Sequence, residues 1–144
     1  MSIVYTNAKR ALLAGELNLA TNDIRVALVM TNTTADTDQD AALMNAITTL
    51  DEMDGAGYAR QALTGEAVAA DDPNNRGEFD ANNLTFSAVS AGTRQVAGMV
   101  VYKHVTNDTD SIPIAYIDSG GFPFTANGGD IVVAWNVEGI LQLG

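Results

Sequence analysis

Asp36, Asp38 and Asp40 stand at alternate positions in Asp36-Thr-Asp-Gln-Asp40. This is the opening spacing of a calcium loop, in which oxygens from every second residue converge on one hard cation. The helix–loop–helix form then needs glycine at the sixth position and a bidentate glutamate at the twelfth, and those places hold Ala41 and Ile47. An acidic loop leading into a helix explains the same residues through capping and the helix dipole. Ala88-Val-Ser-Ala-Gly92 has the outline of a nucleophile elbow with alanine for the first glycine. Ser90 would need a base, and the single histidine, His104, comes near it if 83–89 and 93–105 pair as a hairpin. In that hairpin Ser90-Ala-Gly92 is simply the turn. With one histidine and no cysteine, a usual transition-metal site is not expected. Asp71-Asp72 and Asp108/Asp110 read as solvated loop charges, since a glycosidase needs its carboxyls set across a cleft. The Gly-Gly pairs at 120–121 and 128–129 lack the Gly-Lys-Ser/Thr of a phosphate loop. The expectation is a protein that is not an enzyme and carries no cofactor and no metal.

The charge balance points the same way. There are 7 Lys+Arg against 18 Asp+Glu, a net charge of −11. Binding to nucleic acid or an anionic membrane draws its affinity from clustered cations, and here Lys9-Arg10 is the one adjacent pair. Neither partner is expected. The 144 residues suit one domain, 1–144, able to bury a core without disulfides or metal. No apolar run of about 18 residues is present to cross a bilayer, and the opening Met-Ser-Ile-Val-Tyr-Thr-Asn has no secretory pattern.

The elements that must position these residues are mostly strands. Residues 5–15 predict a short helix, capped by Thr6 or Asn7 and stopped at Gly15, with Ala8, Ala11 and Leu12 as its apolar stripe. Residues 1–15 then form a helical arm packed on a β domain. Ile24, Val26, Leu28 and Met30 alternate as in a strand with one strongly apolar face. A polar loop over 31–40 leads to a second short helix over 39–50, started by Asp38 or Asp40, with Leu43, Ile47 and Leu50 on one side. Strands follow at 57–64, 66–70, 83–89, 93–105 and 111–118. Pro113 places the last at a sheet edge, or delays its start until after the proline. Asn127-Gly128 predicts a hairpin turn before a strand holding Trp135. Apolar residues continue through Ile140, Leu141 and Leu143, so this segment is expected to pair into a sheet or a neighbouring subunit. Short strands between Gly, Asn and Asp turns predict a mainly β fold, an antiparallel β-sandwich or small jelly roll with one N-terminal helix and a second short helix.

Several stretches together resemble a family of small tailed-bacteriophage structural proteins. They are Tyr5-Thr-Asn-Ala-Lys-Arg-Ala-Leu-Leu13, Asn22-Asp-Ile-Arg-Val-Ala-Leu-Val29, Gly55-Ala-Gly-Tyr-Ala-Arg-Gln-Ala-Leu-Thr64 and Phe79-Asp-Ala-Asn-Asn-Leu-Thr-Phe86. Ala115-Tyr-Ile-Asp-Ser-Gly-Gly-Phe-Pro-Phe124 and the closing Asn127-Gly-Gly-Asp130, Trp135-Asn136 and Gly139-Ile-Leu-Gln-Leu143 complete the set. The resemblance covers nearly the whole chain and carries no catalytic motif. It implies a capsid cement or decoration protein, made in the host cytoplasm and bound to the exterior of the virion capsid. Its partners would be the major capsid protein and further copies of itself, as a homotrimer. Trp135, Ile140, Leu141, Leu143 and Tyr116 are then candidate sheet-closing or oligomer contacts, and Ile3, Val4 and Tyr5 candidate capsid contacts. A minor neck, tail or fibre component, or a carbohydrate-binding module using exposed rings, are the other roles considered.

Overall fold

The apolar run from Ile24 to Met30 forms a strand that is covered on both faces. A computed structural model describes residues 2–144; Met1, the first residue of the expected arm, lies outside the described residues. The chain runs β1 (Ile3–Val4), α1 (Thr6–Leu13), β2 (Ile24–Met30), β3 (Gln61–Ala62), β4 (Ala67–Asp71) and β5 (Arg76–Asp80). It continues through β6 (Leu84–Phe86), β7 (Val96–Lys103), β8 (Ile112–Ile117), β9 (Ile131–Val133) and β10 (Leu141–Leu143). The fold is mainly β, as expected. All pairings are antiparallel, in sheets ordered β1-β8-β7-β2-β3, β10-β5-β4 and β6-β9.

β2 pairs with β7 from Ile24↔Lys103 to Met30↔Val96. Val26, Leu28 and Met30 are buried, and so are Ala27 and Val29. The second face is therefore as dry as the first, which is what a continuous apolar run signifies in a fully buried strand. Past β3, the β2 edge is closed by the Met53 N–H donating to the Leu28 carbonyl at 2.9 Å. The Leu28 N–H in turn donates to the Tyr58 hydroxyl at 3.0 Å, and the Tyr58 ring stacks on Phe86 with centroids 5.8 Å apart. Each such buried aliphatic or aromatic side chain contributes roughly 1.5–3 kcal/mol.

β8 is an inner strand, between β1 and β7, and it starts at Ile112, before the proline. The expectation that Pro113 marks an edge or delays the strand is corrected. Pro113 lies opposite Tyr102 at a register shift between Val101 and Tyr102, and a bulge tolerates the missing N–H.

α1 is shorter than the predicted 5–15. Its start is tied from outside rather than capped by its own side chains: the Thr6 N–H donates to the Gln39 carbonyl at 2.9 Å, and Asn7 Nδ2 to the Ala42 carbonyl at 2.7 Å. Its end is the predicted one. Gly15 has φ +72°, and the Glu16 and Gly15 N–H groups return to the Ala11 and Leu12 carbonyls, the paired closure of a left-handed stop.

Three other expectations are corrected. The helix over 39–50 is a single 3-10 turn, Met44–Ala46, because its backbone donors are taken by distant partners. The Met44 and Asn45 N–H groups donate to the Ser111 and Asp108 carbonyls, and those of Thr48 and Thr49 to the Asp38 carboxylate and Thr34 hydroxyl. The hairpin between 83–89 and 93–105 is absent: β6 pairs with β9. The strand expected to hold Trp135 ends at Val133. Asn127-Gly128-Gly129 does turn, with Gly128 at φ +89°, but it docks on Val89 through two backbone hydrogen bonds instead of closing a hairpin.

Candidate interaction surface

The residues raised as catalytic or metal-ligating are engaged in holding loops. The Asp38 carboxylate accepts from the Thr34 hydroxyl at 2.6 Å and the Thr48 N–H at 2.7 Å, and these bonds hold it below the usual aspartate range. It ties the two ends of the 34–48 segment together. Asp108 is ion-paired with Arg60, whose guanidinium also grips Glu52 and lies 5.1 Å from the centre of the Tyr102 ring. The Arg60 hydrogen bonds lower the Asp108 pKa. Asp110 accepts the Thr106 and Asn107 N–H groups inside its own turn, and Asp71 binds Arg76 and Asn74. The reading of Asp71 and Asp108 as solvated loop charges is corrected accordingly: both are ion-paired and partly covered, and Asp71 ends β4. Among the described residues no cluster of three His, Asp or Glu side chains could hold a metal ion.

Ser90 is exposed on a loop packed against 55–57, its N–H donating to the Ala56 carbonyl at 2.9 Å. His104 follows β7, with its N–H on the Asp23 carbonyl and its ring edge-on to Tyr102. The hairpin that was to bring the two together does not form.

What the fold does assemble is a groove of about 720 Å³. One wall is β1 with Ile117 of β8; the other is β9 with the segment running into β10; the 119–124 turn closes one side. Phe122 and Phe124 sit 5.6 Å apart in that turn, and Phe124 is fixed by a bridge to Val96. Trp135 is half-buried, its Nε1 donating to the Asn82 carbonyl at 3.0 Å. Gly139, at φ +88°, is needed where it stands: a Cβ there would lie 2.6 Å from the Phe79 carbonyl oxygen. That close approach lets the Ile140 N–H reach the same oxygen at 2.7 Å and starts β10 against β5. Among the described residues, Glu138 is the one ionisable side chain in the lining.

Of the residues singled out from the sequence, Ile3, Val4, Trp135, Ile140 and Leu141 all line this groove. Leu141 is buried opposite Phe79 in the β10–β5 pair, while Leu143, at 55% exposure, is not in the lining. Tyr116 is not in the groove. It pairs with Ile3, and its ring covers Gly98 inside the five-stranded sheet. Tyr5 is fully buried, its hydroxyl donating to the Ala35 carbonyl at 2.6 Å. Ile3 is also buried, so Ile3, Val4 and Tyr5 do not form one exposed surface; Val4 alone of them is partly open. Phe122 and Phe124 are among the large rings that the sequence offers as packing anchors, and both line the groove. Their Gly-Gly-Phe-Pro-Phe setting, two rings on a glycine-rich turn, was the available signal.

Comparisons with family models, with curated proteins and with solved structures find no match for this chain.

Proposed function

We propose that this is a structural virion protein, a capsid cement or decoration protein that binds the outside of the major capsid lattice and stabilises the head against packaged DNA. It performs no catalysis in this role. The resemblance of the sequence to small tailed-phage structural proteins supplies the assignment. The observation that best supports it is the groove: apolar and aromatic side chains from distant parts of the chain converge there, interleaved with polar Ser2, Ser119, Asn136 and Gln142. Such a mixed lining suits packing against polypeptide, where buried apolar area and hydrogen bonds both contribute. In a homotrimer the groove receives a neighbouring subunit or the capsid, and many modest contacts around a closed shell act together.

Quantitative mass spectrometry of purified particles tests the reading. A copy number close to that of the major capsid protein is the expected result. A few copies per particle would move the protein to the neck, tail or fibre, and absence from particles would overturn the virion assignment. Native mass spectrometry of the purified chain should show a trimer.

A further inference from the structure

The three-stranded sheet β10-β5-β4 carries a second surface, on the side of the molecule where β4 has no outer neighbour. Ala67 to Ala70 are exposed along that edge, and the strand Ala67-Val-Ala-Ala-Asp71 contains neither lysine nor proline, the residues that usually blunt an open edge. Its backbone orientation follows from the ladder. The Ile140 N–H donates to the Phe79 carbonyl, so the Phe79 backbone groups face β10. Antiparallel partners turn their polar groups toward or away from one another together. Val68, opposite Phe79, therefore points its N–H and C=O at the free edge, as does Ala70 two residues on.

The two faces of this sheet differ in chemistry. Val68, Phe79 and Leu141 form one cross-strand row, and Ala70, Gly77 and Leu143 the next on the same face. Phe79 and Leu141 are buried, but Val68 is 58% exposed, and it borders an apolar cleft of about 350 Å³ that also takes in Leu12, Leu17 and Leu19. The opposite face is acidic. Glu78 and Asp80 lie opposite Ala69 and Ala67, and Glu66 and Asp72 flank β4. The one cation, Arg76, is held by Asp71, Glu78 and Glu138. Among the described residues no ion pair reaches Glu66, Asp72 or Asp80.

We propose that the β4 edge is a strand-addition site for an extended polypeptide that alternates apolar and basic residues. Its backbone pairs with Val68 and Ala70. Its apolar side chains extend the Val68–Ala70 face, and its lysines or arginines cross the small Ala67 and Ala69 side chains toward Asp80 and Glu78. These lie two strand spacings away, about 9–10 Å between backbones, within the combined reach of the two side chains. A second copy is a poor occupant. Antiparallel self-pairing centred on Ala69 sets Glu66 of one copy against Asp72 of the other, and like charges directly opposed are destabilising. The proposal holds whatever assembly the chain belongs to.

Hydrogen exchange on the full chain tests it, with a synthetic peptide of alternating valine and lysine as the probe. The expected result is that the Val68 and Ala70 amides, fast in the free protein, slow at least about tenfold on saturation. Binding should weaken as salt rises. A valine–glutamate peptide should not bind, nor should a lysine–proline peptide of equal charge that cannot form a strand. Ala70→Pro removes an outward N–H, and Val68→Lys puts an ammonium on the apolar face; each should weaken the probe at least about tenfold, and the second does not depend on the fold tolerating proline. Absence of binding, protection elsewhere than 67–71, equal binding of the lysine–proline peptide, or unchanged affinity in both variants would overturn the proposal.

Discussion

The five-stranded sheet and the three-stranded sheet use the same kinds of residue and differ in what covers them. In the first, Val26, Ala27, Leu28 and Val29 are fully buried, and the open edge of β2 beyond β3 is sealed by Met53 and Tyr58. In the second, Phe79 and Leu141 are dry, while Val68 and Leu143 remain more than half exposed and β4 has no outer neighbour. The contrast separates two uses of apolar sequence. One part stabilises the fold of the single chain, and the other leaves apolar surface and backbone donors available to something else.

The largest expected effect that sharpens this contrast is alkaline unfolding. Tyr5, Tyr58 and Tyr116 pack in and around the five-stranded sheet, and the three-stranded sheet contains no tyrosine. Burial raises all three phenols, Tyr116 to about 12 and the others further. A folded pKa above the unfolded value means that the stabilisation is complete below about pH 10 and is lost as pH rises through 12. Thermal melts should fall steeply over that window, and Tyr116→Phe should move the midpoint to higher pH. A flat profile from pH 9 to 12 would show that these rings are not held in the core.

Side-chain truncation gives the next effect. Leu28→Ala should cost about 3 kcal/mol in denaturant unfolding, against less than about 1 kcal/mol for the half-exposed Leu143→Ala. Similar losses at the two positions would erase the distinction between the sheets. The smallest effect is local. Gly139→Ala forces a Cβ toward the Phe79 carbonyl at positive φ, a strain of about 1–2 kcal/mol. It should raise hydrogen exchange at 140–143 and leave 24–30 protected; a uniform rise would make the two sheets one cooperative unit.

Much of this arrangement was legible in the residues. β2, β7 and β8 follow from their long apolar runs, and α1 from Gly15 and the Ala8–Ala11–Leu12 stripe. The helix expected over 39–50 failed because Leu43, Ile47 and Leu50 have helical spacing by chance of loop packing. Ala41, Met44 and Ile47 are the residues buried there, and Asp108, Ser111, Asp38 and Thr34 capture the backbone donors. Those captures join residues far apart in sequence, which no local pattern encodes. The same limit hid the β6–β9 pairing. The groove was partly legible: Trp135, Ile140 and Leu141 were singled out for their composition, but their convergence with β1 and the Phe122–Phe124 turn depends on sheet order. Asp51 is a similar case. It adopts φ +49°, and its carboxylate accepts from Arg94 and from the Asn32 N–H, with Arg94 the main cause of its lowered pKa.

Trp135 is the only tryptophan in the chain, and its indole N–H is already bound to the Asn82 carbonyl in a half-dry wall of the groove. The molecule thus carries its own fluorophore at the surface of interest. When that wall is covered, its emission should shift to the blue and resist iodide quenching, so occupancy can be followed by light without a label. The β4 edge lies outside the groove lining, so the same signal separates the two modes of association.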